Sequence, residues 1–418
     1  MAGQASSRLT LHIMIGMLAG LLLGTLLNLF GSTPWVTDYL INGVFELGGR
    51  IFMASLKVLV TPLVFVSIVC GTSSLDDIKR LGRVGGKTMA LYTLTTAIAI
   101  ALAIVVALLV APGKGLEMTA ATQFEAQASP PLLDVVANIF PSNPFKALVD
   151  GEMLQIIVFA LLFGLALTLS GAPGKRLSAV FNDLNEVILR MVMMLIKLAP
   201  FGVFCLLAKV FAQQGLAAIG PLAKYFLVVL GVLLLHWTVV YGSLLKLLTG
   251  LSVKAFARQF KEVPMFAFST ASSNATIPVN LEVVEHKLGV PNSIASFTIP
   301  LGATINMDGT AIMQGVATVF VSQVYGVDLG VSDYLMVILT ATLASIGTAG
   351  VPGVGLIMLA MVFRQVNLPV EGIGLIIGVD RLLDMVRTAI NVTGDAVVTV
   401  IVAKTENQLD TAIYNQID

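Results

Sequence analysis

Three uninterrupted apolar runs constrain this chain before anything else does: "LHIMIGMLAGLLLGTLLNLF" from Leu11, "TLTTAIAIALAIVVALLV" from Thr93 and "YFLVVLGVLLLHWTVVYGSLL" from Tyr225. About 20 apolar residues make a helix long enough to cross a bilayer core. In lipid only helices or closed barrels satisfy every backbone N–H and C=O, and runs of this length are helical. Composition agrees, since 57% of the 418 residues are hydrophobic and 11% are charged, where a soluble domain carries roughly 25% charge. The reading is an all-α integral membrane protein with about eight transmembrane helices and additional re-entrant segments. With 24 basic and 24 acidic residues, no cationic face offers itself to nucleic acid or to a polybasic lipid anchor. The start "MAGQASSR" lacks a signal-peptide pattern, so the first span is expected to be retained. Cys70 and Cys205 sit in apolar surroundings without CxxC spacing and read as small buried hydrophobes.

Arg8, Lys79, Arg80, Arg83, Lys87, Lys175, Arg176, Lys254, Arg258 and Lys261 cluster in alternate connections, whereas "GSTPWVTDYLING" and "QVYGVDLGVSDY" contain no Lys or Arg. The basic connections should face the cytoplasm. Lys404 returns to that side, so both termini are expected to be cytoplasmic and the protein multi-pass in the inner (plasma) membrane. "GRVGGKT" at 82–88 is one residue short of a phosphate-binding loop and runs straight into a span, which removes that reading. Residues 113–148 turn polar and Pro-rich, as a long outer loop entering a broken fourth span would.

Two segments are too interrupted for ordinary spans: "FAFSTASSNATIPVN" at 266–280 and "ASIGTAGVPGVG" at 344–355. Each carries apolar arms on both sides of a small-residue tip, the pattern of a helical hairpin that enters the membrane and turns back. Backbone at such a tip is tolerable at membrane depth only beside a cavity or ligand. Two hairpins flanking residues 292–323 suggest inverted repeats with a site between the tips.

The last apolar stretch, "IGLIIGVDRLLDMVRTAINVTGDAVVTVIVA", carries Asp380, Arg381, Asp384, Arg387, Thr388, Asn391 and Asp395. At about 100° per residue these fall within an arc of about 120°. Exposed to lipid, the five charges would cost on the order of 10 kcal/mol, so the face must meet protein, water or ligand. Asp380 and Arg381 could form a structural ion pair. Asp384 and Arg387 offer one negative and one bidentate positive group, suited to a zwitterion with an extra carboxylate. In "TINMDGTAIM", Asn306 and Asp308 bring hard oxygen ligands, Gly302 and Thr304 can offer carbonyls, and Gly309 eases unwinding. With no His or Cys cluster nearby, such a site suits Na⁺.

"NMDGT" at 306–310, "SSNATIP" at 272–278, "GTAGVPG" at 347–353 and "LDMVRTAINVTGD" at 383–395 together resemble the dicarboxylate/amino acid:cation symporter family of glutamate and aspartate transporters, in matching order along nearly the whole chain. The resemblance implies a homotrimer in membrane lipid. Each protomer would have eight spans and two hairpins, with a transport domain moving elevator-fashion against a fixed scaffold. The scaffold would comprise residues 9–82 and 130–217. The transport domain would comprise 83–112 and 218–418, with hairpin 1 at 253–288, the seventh span at 292–323, hairpin 2 at 331–366 and the eighth span at 369–406. By the same resemblance Arg387 would take the side-chain carboxylate of an acidic amino acid and Asp384 its amine. Thr310, Thr388, Asn391 and the tip residues Ala271, Ser273, Val351 and Gly355 would assist. One Na⁺ would lie at Gly302, Asn306, Asn391 and Asp395, a second at Tyr92, Thr95, Thr96, Asn306 and Asp308, and a third at Thr304, Met307, Ser345, Ile346 and Thr348.

The chain departs from its relatives at Gln314, where animal members carry a carboxylate tied to proton coupling, and at Ala271, where archaeal members carry Arg. Arg381 is expected to supply the missing charge. C4-dicarboxylate and neutral amino acid carriers of the same family are the alternatives, the first needing no Asp384 and the second no Arg387. An intramembrane aspartyl protease using Asp308 and Asp395 is a remote one, since a GxGD pattern is missing.

Overall fold

The computed structural model describes residues 2–30, 33–73, 83–116, 118, 140–346, 350 and 353–416. Among these residues every regular element is helical, and there is no strand. In chain order the α-helices are α1 (Ala2–Leu29), α2 (Glu46–Ser73), α3 (Arg83–Val110), α4 (Pro144–Asp150), α5 (Met153–Leu169), α6 (Ala172–Ile196), α7 (Ala199–Gln214), α8 (Ile219–Leu235), α9 (Gly242–Thr249), α10 (Val253–Phe260), α11 (Glu262–Thr270), α12 (Ser273–His286), α13 (Asn292–Ile305), α14 (Asp308–Val324), α15 (Val331–Ser345), α16 (Val354–Gln365), α17 (Ile373–Thr405) and α18 (Thr411–Tyr414). Lys79 and Arg80 lie outside the described residues, as does most of the polar stretch after residue 116.

Among the described residues four helical stretches are long and apolar enough to cross a membrane: Leu11–Leu29, Arg83–Val110, Ile219–Thr249 and Val370–Thr405. The third is continuous because a π-helical turn, His236–Tyr241, joins α8 to α9. Local chemistry fixes several boundaries. Asn143 caps α4 by accepting from the Phe145 and Lys146 amides, with Pro144 at the first helical position, where a missing N–H costs nothing. Ser252 caps α10 in the same manner.

Two packing groups emerge. In one, α1 lies along α7, and α2 packs on α5, α6 and α7. The α1–α7 contact is close because Gly16, Gly20 and Gly24 face Pro200, Phe204 and Ala208. In the other, α17 is the central post, buried along most of its 33 residues and contacted by α3, α8, α9, α11 to α14 and α16, and it also meets α7 and α1 of the first group. At its end Glu406 accepts from Arg83 at 2.9 Å and also from Lys87. These two cationic partners hold its carboxyl below the ordinary value.

The expected hairpin 1 corresponds to α11 and α12, which pack together across Ala271 and Ser272. Ala271 adopts a left-handed φ of 49°, a conformation that a Cβ makes costly by about 1 kcal/mol and that ends α11 sharply. The arms of the expected hairpin 2 are α15 and α16, which also pack together. Most of the connection between them, including Thr348 and Val351, lies outside the described residues. The expected seventh span is broken, but Gly302 and Thr304, expected to unwind, stay helical in α13, and Gly309 stays helical in α14. The span separates into α13 and α14 at Asn306 (φ −90°, ψ 89°) and Met307 (φ −115°, ψ 45°), both non-helical.

Candidate functional site

Arg387 is fully buried on α17, its guanidinium held by two aspartates one and two turns earlier. Nη1 donates to Asp380 Oδ1 at 2.7 Å and Nη2 to Asp380 Oδ2 at 3.4 Å, so Asp380 spans the end of the fork. On its other side Nη2 donates to Asp384 Oδ1 at 2.8 Å. Arg381 donates to Asp384 Oδ2 at 3.4 Å. This corrects the expected Asp380–Arg381 pair: the charges alternate along one helical face, and Asp380 is the counter-ion of Arg387. The four charges sum to zero, which is what makes their burial tolerable; removing one partner of such a pair costs about 3–5 kcal/mol. Among the described residues Arg387 Nε is a buried donor without an acceptor.

The hairpin arms close over this cluster. The Gly353 amide donates to Asp384 Oδ2 at 3.3 Å. A Cβ built on Gly355 would lie 3.4 Å from Arg387 Nη2 and 3.3 Å from Thr310 Cγ2, so α16 packs closely on this cluster. Thr388 donates to its own helix at the Asp384 carbonyl, 2.8 Å away. From hairpin 1, Ser273 is buried at the start of α12. The Ala271 amide bonds the Ala267 carbonyl at 2.8 Å. The two tips touch, since Ser272 Oγ and the Asn274 amide donate to the Gly350 carbonyl at 2.8 and 3.2 Å.

One turn further along α17 a second polar cluster joins the break between α13 and α14. Asn391 Oδ1 accepts from the Gly309 amide at 2.7 Å, which fixes the first turn of α14 against α17. Asn391 Nδ2 reaches Met307 Sδ at 3.3 Å. Asn306 Nδ2 donates to the Asn391 carbonyl at 3.1 Å and to Asp395 Oδ1 at 2.9 Å. A Cβ on Gly302 would collide with the Asp395 carboxylate and the Tyr92 hydroxyl. Gly302, Asn306, Asn391 and Asp395 therefore converge, and Asp395 Oδ2 is buried with no hydrogen-bond partner. A buried carboxylate oxygen without a donor among the described residues is a fitting ligand for a hard monovalent cation.

The second expected cation set also meets. Thr95 Oγ1 lies 3.0 Å from the Tyr92 carbonyl and 3.4 Å from Asn306 Oδ1, and Thr96 Oγ1 donates to Asp308 Oδ1 at 2.6 Å. Tyr92 itself donates to the Thr298 carbonyl at 3.0 Å. The third set is the least assembled. Ser345 and Thr304 direct their hydroxyls to Thr342 and Leu301 carbonyls of their own helices, at 2.7 and 3.0 Å, and Ile346 marks the non-helical end of α15. Among the described residues no group of three His, Cys, Asp or Glu side chains converges as a zinc or iron site would.

Two residues at this site escape the sequence pattern. Tyr241 donates to Asp308 Oδ2 at 2.8 Å, and His236 Nε2 lies 3.1 Å from the same oxygen. His236 is thus a partner of Asp308, not a scattered core histidine. In an α-helix residues five apart diverge by about 140°. The π turn at His236–Tyr241 widens the helix so that i and i+5 come into register, a feature found frequently at functional sites. Asp308 and Asp395 meet no Lys or Arg among these partners, in contrast to the balanced charges around Arg387.

The model of the "Sodium:dicarboxylate symporter family" matches residues 9–405. The chain is 36% identical over 411 residues to a "Proton/glutamate-aspartate symporter" of Escherichia coli K12, covering 96% of this chain and 93% of that one. It is 34% identical over 406 residues to a "Proton/sodium-glutamate symport protein" of Geobacillus stearothermophilus, covering 95% and 94%. It is 33% identical over 373 residues to a "C4-dicarboxylate transport protein" of Rhizobium leguminosarum bv. trifolii, covering 87% and 84%.

Proposed function

The chain belongs to the sodium:dicarboxylate symporter family, whose members are transporters and not enzymes, and from that premise and the site geometry we propose that it carries L-aspartate or L-glutamate into the cell together with Na⁺. The observation that carries this reading is the Arg387 fork. Its Nε is an unused buried donor, and the neighbouring Nη2 hydrogen is held by Asp384. A substrate carboxylate approaching the Nε/Nη2 edge would make a bidentate pair and displace Asp384, which is then free for the substrate ammonium. A substrate with both groups satisfies both partners. A C4-dicarboxylate displaces Asp384 from Arg387 and leaves it only its longer bond to Arg381, and a neutral amino acid leaves Arg387 Nε orphaned; either is disfavoured by the cost of buried polar groups left poorly paired.

Na⁺ coupling is supported by Asp395 and Asp308, buried acids without Lys or Arg partners. Gln314 in α14 cannot titrate, which argues against a proton carried there. Because the Asn391 side chain stands between the Arg387 cluster and Asp395, holding Gly309 and Met307, substrate and ion would each lower the ordering cost for the other. Hairpin 2, whose Gly353 and Gly355 abut Asp384 and Arg387, would act as the outer gate. The two packing groups fit an elevator in which 83–112 and 218–418 move against 9–82 and 130–217. Exposed Leu177, Val180, Leu184 and Val187 on α6 would face lipid or the other subunits of a trimer, with both termini cytoplasmic.

Uptake of labelled L-aspartate into proteoliposomes, with Na⁺, H⁺ and K⁺ gradients imposed separately, tests the proposal. An inward Na⁺ gradient alone should drive accumulation. Accumulation driven by a proton gradient in Na⁺-free buffer would overturn the Na⁺ assignment, and accumulation of succinate but not aspartate would favour the C4-dicarboxylate reading.

A further inference from the structure

Among the described residues a second buried donor, on a helix packed against α17, has no acceptor: the hydroxyl of Tyr225. Tyr225 stands on α8, which packs on both α14 and α17. The residue is fully buried, and its ring lies 5.0 Å from that of Phe320 in a tilted contact. Phenylalanine would make that contact equally well without burying an unsatisfied hydroxyl, which is a net cost to the substrate-free fold. The hydroxyl lies within electrostatic range of Asp380 and Arg387.

The Asp380 carboxylate holds the guanidinium unevenly, at 2.7 Å to Nη1 and 3.4 Å to Nη2. Nη2 is also the atom that Asp384 binds at 2.8 Å and that an incoming carboxylate would share with Nε. As the guanidinium is drawn toward substrate, the 3.4 Å bond is the weakest restraint and breaks first, leaving Asp380 Oδ2 short of a donor in a dry interior. We propose that the Tyr225 hydroxyl then donates to this oxygen, making Tyr225 a positioning residue that steadies Asp380, and through it the plane of Arg387, in the substrate-loaded carrier. Both orphaned donors of the cluster, Arg387 Nε and the Tyr225 hydroxyl, are satisfied only in that state. The inference rests on the reading of Arg387 as the substrate carboxylate site.

Tyr225→Phe tests it in proteoliposomes and by thermal unfolding. The KM for L-aspartate should rise about fivefold, the worth of one buried hydrogen bond. The rate at saturation and the melting temperature of the substrate-free protein should be unchanged or slightly raised. In an Asp380→Asn background, L-aspartate affinity read from the substrate-induced thermal shift should not fall further on adding Tyr225→Phe. An unchanged KM, an equal loss in both backgrounds, or a lowered melting temperature with KM retained would overturn the inference. Failure of the parent protein to accumulate aspartate would instead sink the reading of Arg387 on which it rests.

Discussion

Helices α1 and α17 both come from apolar, membrane-length sequence, yet the span at Leu11–Leu29 is 18% buried and the one at Val370–Thr405 is 83% buried. In α1, Leu11, Ile15, Leu18, Leu22, Leu26 and Leu29 are exposed at spacings of three and four, while Gly16, Gly20 and Gly24 line the opposite side against α7. One face meets lipid and the other meets a helix backbone, as small-residue packing in membranes requires. α17 has hardly any lipid-facing side, and it carries Asp380, Arg387 and Asp395 into the interior. Hydropathy therefore says which segments are helices in a membrane, and the placement of charge says which of them hold the work of the molecule.

The comparison is broken most severely at Arg387. Arg387→Cys leaves Asp380 buried without its guanidinium partner and Asp384 with Arg381 alone, a loss of about 3–5 kcal/mol. Acidic amino acid uptake should fall below detection, while neutral amino acids gain entry; retained aspartate affinity would remove Arg387 from the site. Gly302→Ala, packed against α17, is next. Its methyl meets the Asp395 carboxylate and the Tyr92 hydroxyl, so the Na⁺ concentration for half-maximal aspartate uptake should rise at least about tenfold, and a variant with parental Na⁺ dependence would dissociate Asp395 from the ion. On α1 the effects should be structural only. Gly20→Leu forces a side chain against the Phe204 carbonyl, 2.6 Å from an ideal Cβ, and should cost about 1–3 kcal/mol in thermal unfolding with no change in Na⁺ dependence. Leu22→Ala on the exposed face of α1 should be smallest, within about 0.5 kcal/mol.

Much of this was legible in the sequence because it follows from single-helix periodicity. The stripe from Asp380 to Asp395, the break at Asn306–Met307 and the Ala271 tip all follow from spacing or from residue type. The pairing of charges was less legible. Asp380 next to Arg381 suggested neighbours, whereas residues adjacent on a helix point about 100° apart, and Asp380 pairs with Arg387 two turns on. His236 and Tyr241 were hidden for a different reason. Their five-residue spacing places them on different faces of an α-helix, and only the π turn brings both to Asp308. Tyr225 gives no local signal at all, since its meaning depends on where α8 lies against α17.

The central claim is that an acidic amino acid supplies the acceptor that Arg387 Nε lacks on α17. An experimentally determined structure with L-aspartate and Na⁺ bound tests it directly. The account predicts the side-chain carboxylate on Arg387 Nε and Nη2, Asp384 turned to the ammonium, and cation density beside Asp395 Oδ2. Aspartate bound elsewhere, with Asp384 still on Nη2 and Nε still without an acceptor, would contradict it.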